Sequence, residues 1–420
     1  MTTAPVRVPF PVVDEVARHC LQEEEPETVH IEVHLPGRID VARLRKAVGE
    51  ALLRHPRVLM REAPGPWYRR RYEWELTAAP DVDVVRVAPP GRGALRDART
   101  RALTEAPPLS AAPPIRLEMV EEGDGTVLLL AINHTALDGP ACLRVLATAA
   151  ELYGGRDNSP AAPPVRTTAE APQDTTAPSH WARPARVAPG SPESSPGNGM
   201  LVAELALPHR PKGAAYTVND QLMVATALTV AHWNREHGAR PRPLRITMPV
   251  DDRPRDAGMP IGNGTRLVEV PFAAEETAAT DLPALLRRTA ARTRALKALP
   301  RPQLGHGAAL LTSPWAPVTA RAALTRALRR AAAPWTSTTL LSNIGRIPYP
   351  LDFGEEAGRA HAVWFSAPAR MPRGLTFTTA STAGRLHLVL RWSRTLLGHG
   401  DGARLRDLFE HHLHATEVTS

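Results

Sequence analysis

Apolar and polar residues alternate strictly over Thr28–Leu35, with Val29, Ile31, Val33 and Leu35 on one face. A period of two predicts a half-buried strand. Pro36-Gly37 then turns the chain, and Asp40 can cap a helix carrying Val41, Leu44, Val48 and Leu52 on one side until Pro56. Strands are expected around Trp67–Glu75 and Val82–Val87, a helix over Ala94–Ala106, and a strand through the alternating Ile115, Leu117 and Met119. A turn at Gly123-Asp124-Gly125 pairs that strand with Thr126–Ile132, an apolar run too short for a helix and therefore expected as a fully buried strand. Next come Asn133-His134-Thr135-Ala136-Leu137-Asp138-Gly139, after which Cys142, Leu143, Leu146, Ala149, Ala150 and Tyr153 recur at helical spacing until Gly154-Gly155. A histidine is thus delivered at a strand end, ahead of a turn that holds Asp and Gly.

The pattern breaks between Gly154 and Gly199, where prolines such as Pro163, Pro164, Pro172 and Pro178 interrupt a stretch rich in Ala, Ser and Thr. Such a segment buries too little apolar surface to order itself and reads as a linker, with Trp181 docking on one side. Beyond it, Met200–Leu207 reads as a strand, and Thr217-Val218-Asn219-Asp220 opens a helix with Val224, Ala227, Leu228 and Ala231 on one face. Strands are expected at Leu244–Val250 and Leu267–Phe272, and helices at Leu282–Leu299, started by Asp281 and Pro283, and at Val318–Ala332. Thr336–Leu341 is expected as a strand that closes in Ser342-Asn343-Ile344-Gly345. Ala362–Ser366 and the hairpin Leu375–Ala380 with Leu386–Trp392 complete a sheet, Gly398–Gly402 is a loop, and Arg404–His414 is the last helix. Strands and helices mix on both sides of the linker. The expectation is an α/β protein of two lobes, 1–155 and 200–420, joined by the Pro-rich linker 156–199.

The chain has 420 residues, enough for two substantial cores. Its net charge of +8 comes from arginine almost alone, since the lysines are only Lys46, Lys212 and Lys297. With abundant Ala and Pro, that reads as coding bias rather than as a nucleic-acid surface. The dense basic cluster Arg69-Arg70-Arg71, beside Trp67, Tyr68 and Tyr72, is either a solvated strand edge or a docking patch for phosphate or an acidic protein. No apolar run is long enough to span a bilayer, and the first residues lack the basic start and apolar core of a secretory signal. Cys20 and Cys142 have no partner at metal spacing, so both are expected as core residues in a reducing cytoplasm.

Common catalytic signatures are missing: there is no Gly-x-Ser-x-Gly elbow, no P-loop and no His-Glu-x-x-His. His411, His412 and His414 lie near a polar chain end without a carboxylate or cysteine to complete a metal set, which favours a solvated helix end. What remains is His134-x-x-x-Asp138-Gly139. An imidazole titrates close to physiological pH and can take a proton from an attacking amine or hydroxyl. Asp138 could do the same work as a base, but a turn points it backward more naturally, toward an arginine that would hold the loop. A structural histidine in a coincidental pattern is the plain alternative.

The stretch Asn133-His134-Thr135-Ala136-Leu137-Asp138-Gly139 resembles the His-His-x-x-x-Asp-Gly motif of nonribosomal-peptide condensation domains and their relatives, which include polyketide-associated acyltransferases, wax-ester synthases and chloramphenicol acetyltransferase. Val29–Pro56 is similar to the first strand and helix of that superfamily, and Thr217–Asp220, Pro249–Arg253, Ile261–Gly264, Ser342–Gly345 and Asp352–Gly354 follow in the order of its later landmarks. The resemblance implies two chloramphenicol-acetyltransferase-like lobes in a V with a tunnel between them, lined in part by Ser342 and Asn343. It makes His134 the general base or the group that positions the nucleophile. Asp138 would be structural, paired with an arginine of the second lobe for which Arg253 is the candidate, and Gly139 would offer its amide to a developing oxyanion. Asn133 stands where the family has its first histidine, and an amide can brace the turn by donating and accepting hydrogen bonds. The implied activity is that of a free-standing condensation-type acyltransferase of specialised metabolism, joining a thioester-bound acyl or aminoacyl donor to an amine or hydroxyl acceptor. The donor would ride on the phosphopantetheine of an acyl or peptidyl carrier protein or on coenzyme A, with no bound cofactor and no metal, in a monomer. A catalytically silent module of the same fold that recruits carrier proteins or tailoring enzymes is the alternative.

Overall fold

The computed structural model describes residues 6–156, 182–251, 253, 260–278, 281–299 and 311–417. It opens with β1 (Val6–Pro9), α1 (Val12–His19), β2 (Thr28–Leu35), α2 (Val41–Arg54), β3 (Met60–Glu62), β4 (Glu73–Leu76) and β5 (Val85–Val87). There follow α3 (Ala94–Thr104), β6 (Ile115–Glu122), β7 (Gly125–Asn133) and α4 (Gly139–Tyr153). The second half contains β8 (Asn198–Ala206), α5 (Val218–Glu236), β9 (Leu244–Asp251), β10 (Thr265–Phe272), α6 (Leu282–Ala298) and α7 (Val318–Ala332). It ends with β11 (Thr339–Arg346), β12 (Ala362–Ser366), β13 (Leu375–Thr382), β14 (Arg385–Ser393) and α8 (His399–Ala415). Helices and strands alternate in both halves, and the protein is α/β.

β7 shows why its sequence is apolar without a break. Leu128, Leu130 and Ile132 face the main core of the first half, with Leu44 and Val48 of α2 and Leu143 and Leu146 of α4. Val127, Leu129 and Ala131 face the other way, onto Ala98 and Ala102 of α3. A strand covered on both faces has no polar side to show. It lies central in a five-stranded sheet of order β12-β2-β7-β6-β5. The second half builds a six-stranded sheet of order β10-β9-β11-β13-β14-β8, covered by Leu222, Val224 and Val230 of α5 and by Leu405 and Phe409 of α8. A small sheet of order β1-β4-β3 completes the list of sheets among the described residues.

Several elements differ from the sequence expectation. Ala362–Ser366 does not join the sheet of the hairpin that follows it: β12 pairs antiparallel with β2, from Ala362 opposite His34 to Ser366 opposite His30. A strand of the second half therefore forms the edge of the first half's sheet, because side-chain alternation fixes a strand's two faces but not its hydrogen-bonding neighbour. β11 does not stop at Leu341 but runs through Ser342–Gly345, with a register shift between Asn343 and Gly345 that glycine at φ +77° accommodates. Gly398 is the N-cap residue of α8 rather than part of a loop, and the Asp401 carboxylate accepts the Gly398 N–H at 2.8 Å. The glycines there serve close approach: a Cβ on Gly402 would lie 2.4 Å from the Trp392 ring. Trp67–Arg71 is irregular, so Arg69-Arg70-Arg71 is no strand edge; Arg69 pairs with Glu62 and donates to Ala63 O at 2.8 Å.

Part of the segment expected as a linker belongs to the second core. Residues 157–181, Trp181 among them, lie outside the described residues. Ala185, Val187 and Ala188 are buried in the second core, where Trp233 Nε1 donates to Ala188 O at 2.9 Å. β1 and α1 had no counterpart in the sequence reading. α1 docks on α7, where Arg321 meets Glu15 at 2.6 Å and His19 Nδ1 lies 3.2 Å from Thr325 Oγ1.

Candidate functional site

His134 occupies the first position after β7, and its backbone N–H donates to Glu27 O at 2.8 Å, one residue before β2. Pairing continues past the end of the strand, so the histidine backbone is held by the sheet. Its Nδ1 lies 3.1 Å from Leu137 O. A carbonyl only accepts, so Nδ1 carries the proton and Nε2 is left as the acceptor nitrogen. Among the described residues Nε2 has no protein partner, and His134 lines a cavity of about 240 Å³.

Asn133 faces away from that cavity. It is buried, its Nδ2 donates to Pro107 O at 2.9 Å and its Oδ1 accepts from Thr135 N at 3.1 Å. Both halves of the amide are therefore used to brace the turn.

Asp138 caps α4. Its Oδ1 accepts from Ala141 N at 3.0 Å, replacing one of the partners that a first helical turn lacks. Its Oδ2 accepts from Arg253 Nη2 at 2.6 Å and from Gly264 N at 2.9 Å. Three donors converge on one buried carboxylate, and two of them come from the second half of the chain. Arg253 is held in turn by Asp251, with Nε 2.9 Å from Oδ1, and by Gly262 O at 3.0 Å. Burial opposes the charge of Arg253, but hydrogen bonds and charge from Asp251 and Asp138 outweigh it and raise the guanidinium above its ordinary value. Gly264 has to be glycine, since a Cβ there would lie 2.2 Å from Arg253 Nε.

Asn263, between two glycines, is a second bridge. Its Nδ2 reaches His134 O at 3.1 Å, Thr135 O at 3.0 Å and Asp14 Oδ1 at 2.9 Å. Asp14 also accepts from Trp74 Nε1 at 2.8 Å. Burial raises the Asp14 carboxyl to about 6 against the lowering effect of those two donors. Sequence reasoning missed both residues. Asn263 lay inside the Ile261–Gly264 landmark but no role was attached to it, and Asp14 sits in a helix the sequence did not announce.

The cavity is walled from both halves. His134, Asp138 and Gly139 face Asn219, Ser342 and Asn343, with Met248, Leu267, Leu340 and Phe365 supplying apolar surface. Asn343 accepts from Gly345 N at 2.9 Å within its own strand and donates to Asn219 Oδ1 of α5 at 3.2 Å. The structure thus brings Ser342 and Asn343 to the same cavity as His134. Gly139 is buried at the start of α4, where the helix itself offers no carbonyl to its N–H. Its missing side chain admits the Phe365 ring, which a Cβ would approach to 3.3 Å. Glu27 also lines the cavity and pairs with Arg370; burial would raise its carboxyl, but the Arg370 charge holds it below the ordinary range.

The histidines near the C-terminus form no such site. His412 Nε2 lies 3.1 Å from His232 Nδ1, and burial lowers His412 to about 4. No group of three or more metal-ligating side chains occurs among the described residues. No helix there is long and apolar enough to cross a membrane.

No family model matches the chain. Two uncharacterized proteins of Mycobacterium tuberculosis, from strains CDC 1551 and H37Rv, are each 29% identical to it over 377 residues, 82% of this chain and 84% of theirs. Among solved structures, the TRI3 trichothecene 15-O-acetyltransferase of Fusarium sporotrichioides superposes over 99% of this chain and 97% of its own at 10% identity, with a TM-score of 0.67. The first condensation domain of the calcium-dependent antibiotic synthetase, in complex with a substrate analogue, covers 99% and 98% at 15% identity, TM-score 0.66. The condensation domain of the monacolin K polyketide synthase MokA covers 98% and 97% at 13% identity, TM-score 0.63. These likenesses span both halves and both large sheets. The chain therefore has the two-lobed α/β fold of these condensation domains and of the trichothecene acetyltransferase.

Proposed function

We propose that this protein is a condensation-type acyltransferase, which transfers an acyl or aminoacyl group from a phosphopantetheine thioester to an amine or hydroxyl acceptor. The observation that carries the reading is the state of His134, with Nδ1 donating to Leu137 O and Nε2 without a partner among the described residues, in a cavity built by both halves. An imidazole so fixed accepts the proton of the nucleophile as its nitrogen or oxygen attacks the thioester carbonyl. The carbonyl oxygen gains negative charge in the tetrahedral intermediate, and the N–H of Gly139, which starts α4 and lines the cavity, would donate to it. When the C–S bond breaks, the sulfur leaves as a thiol with the proton held at Nε2. The balance is one new amide or ester bond and one free thiol, with no oxidant and no external base consumed.

Asp138 acts in this scheme by position, since its carboxylate is spent on Ala141, Gly264 and Arg253. Asn133 takes no part in proton transfer and leaves the cavity wall unchanged. The donor would arrive on an acyl or peptidyl carrier protein or as coenzyme A, and the acceptor as a small molecule; specialised metabolism is the setting that the structural likenesses support. Incubation with acyl-loaded carrier proteins or acyl-coenzyme A and a panel of amines and alcohols, followed by intact mass and thiol release, tests the reading. Wild type is expected to release thiol in step with product, and His134→Ala to release none while retaining its far-UV spectrum. Carrier binding without turnover by wild type across the panel would instead identify a recruitment module.

A further inference from the structure

Arg373 lines the same cavity and is not explained by the transfer chemistry. It lies just before β13, and among the described residues its guanidinium is fixed by hydroxyl groups. Nε and Nη2 lie 3.1 and 3.0 Å from Ser337 Oγ, and Nη2 lies 3.3 Å from Thr247 Oγ1. Thr247 Oγ1 donates in turn to Ser337 Oγ at 2.7 Å, and both hydroxyl residues are buried. The cradle is therefore built rather than incidental. Among the described residues no carboxylate is within ion-pair distance of Arg373. The acidic groups that influence it are Glu269 and Glu27, and each is paired with another arginine, Arg245 at 3.0 Å and Arg370.

Other interior arginines end differently. Arg253 and Arg321 meet carboxylates, and Arg391 donates to two carbonyls and two side-chain oxygens. Burial lowers the Arg373 guanidinium to about 10, with Arg329 and Arg370 pushing the same way. Arg373 is half-buried in the cavity wall, and a partly desolvated cation without a counter-charge is poised to take up an anion. The rest of the wall mixes apolar surface, through Met248, Leu267, Leu340 and Phe365, with polar groups such as Asn219, Ser342 and Asn343.

We propose that Arg373 anchors a carboxylate carried by one of the two substrates, so that the cavity selects a molecule with an apolar body and an anionic end. This rests on the transferase reading of the cavity and names the class of substrate it takes. The carboxylate belongs either to the far end of a dicarboxylic acyl donor or to an amino- or hydroxy-acid acceptor. A planar guanidinium offers it two parallel N–H donors, a geometry that lysine cannot reproduce.

Calorimetric titration with hexanoate and with its neutral isostere hexanamide tests the anchor without requiring turnover. Wild type is expected to prefer hexanoate by about tenfold, as a charge-assisted hydrogen bond provides. Arg373→Gln should erase the preference and Arg373→Lys should keep part of it. Equal binding of both probes by wild type, no measurable binding of hexanoate, or an undiminished preference in a folded Arg373→Gln protein overturns the proposal. The wild-type comparison stands even where a variant fails to fold. His134→Ala should abolish transfer yet keep the hexanoate preference, which separates failure of the anchor from failure of the transferase reading. In turnover, a raised KM in Arg373→Gln for an adipoyl but not a hexanoyl thioester assigns the carboxylate to the donor. A raised KM for aminohexanoate but not hexylamine assigns it to the acceptor, and no change in either overturns the proposal.

Discussion

The side chain of Asn263 donates to the backbone carbonyl of His134 at 3.1 Å, joining residues 129 positions apart. Only the amide of a short side chain between two glycines can enter the turn this closely. Asn263→Ala would remove one donor group from three acceptors, the carbonyls of His134 and Thr135 and the Asp14 carboxylate. Leaving such groups unpaired costs on the order of 2 kcal/mol. Urea unfolding should show that loss, and an unchanged midpoint would mean that water replaces the amide without cost.

Asp14 makes the same junction sensitive to acid. Its carboxyl rises from 3.8 to about 6 on folding, burial being the largest cause. Between those values the folded chain binds more protons than the unfolded one, so this residue's contribution is complete below 3.8 and is lost as pH rises toward 6. Relative to Asp14→Asn, wild type should lose roughly 3 kcal/mol of stability across that window and change little above it. A difference between the two proteins that stays flat from pH 4 to pH 7 would refute the buried carboxyl.

Asp138 does two jobs that substitution can separate. Asp138→Asn keeps an oxygen for Ala141 N–H and gives up the charge facing Arg253, whereas Asp138→Ala gives up both. Arg253 retains Asp251 in either case, which limits the damage. The expected losses are about 3 kcal/mol for alanine and about half that for asparagine. Thermal melts that rank the two variants in the opposite order would refute the capping role.

Arg391 is fully buried and crosses from β14 to the first half, donating to Thr28 O at 2.8 Å, Pro26 O at 3.2 Å and Asn198 Oδ1 at 2.7 Å. Arg391→Met fills similar volume but strands those oxygens, and should destabilise by about 3–5 kcal/mol. The exposed pair of Arg385 and Glu204 is the control, since Arg385→Ala should cost less than about 1 kcal/mol. Comparable denaturant midpoints for the two variants would show that Arg391 is dispensable.

Much of this architecture could be read from local pattern. The apolar run of β7 announced a strand covered on both sides, and the turn after it announced a histidine held at a strand end. The pairing of Asp138 with an arginine of the second half, with Arg253 as candidate, came only from the resemblance to condensation domains. What escaped was set by distant partners. Ala362–Ser366 has the same alternation whichever sheet it joins, and Gly398–Gly402 looks like a loop until Ser191 and Trp392 are seen to press on its glycines. Arg373 is one arginine among many in the sequence, and only the hydroxyls of Thr247 and Ser337 around it set it apart.

The origin of β12 has a consequence for synthesis. A ribosome that has released residues 6–156 has supplied four strands of the first sheet, but the strand that covers the edge of β2 is still some two hundred residues away. Until Ser366 emerges, that edge is an open template for other chains. The first half is therefore a client for protection during translation, and truncation before Ala362 leaves the sheet permanently unfinished.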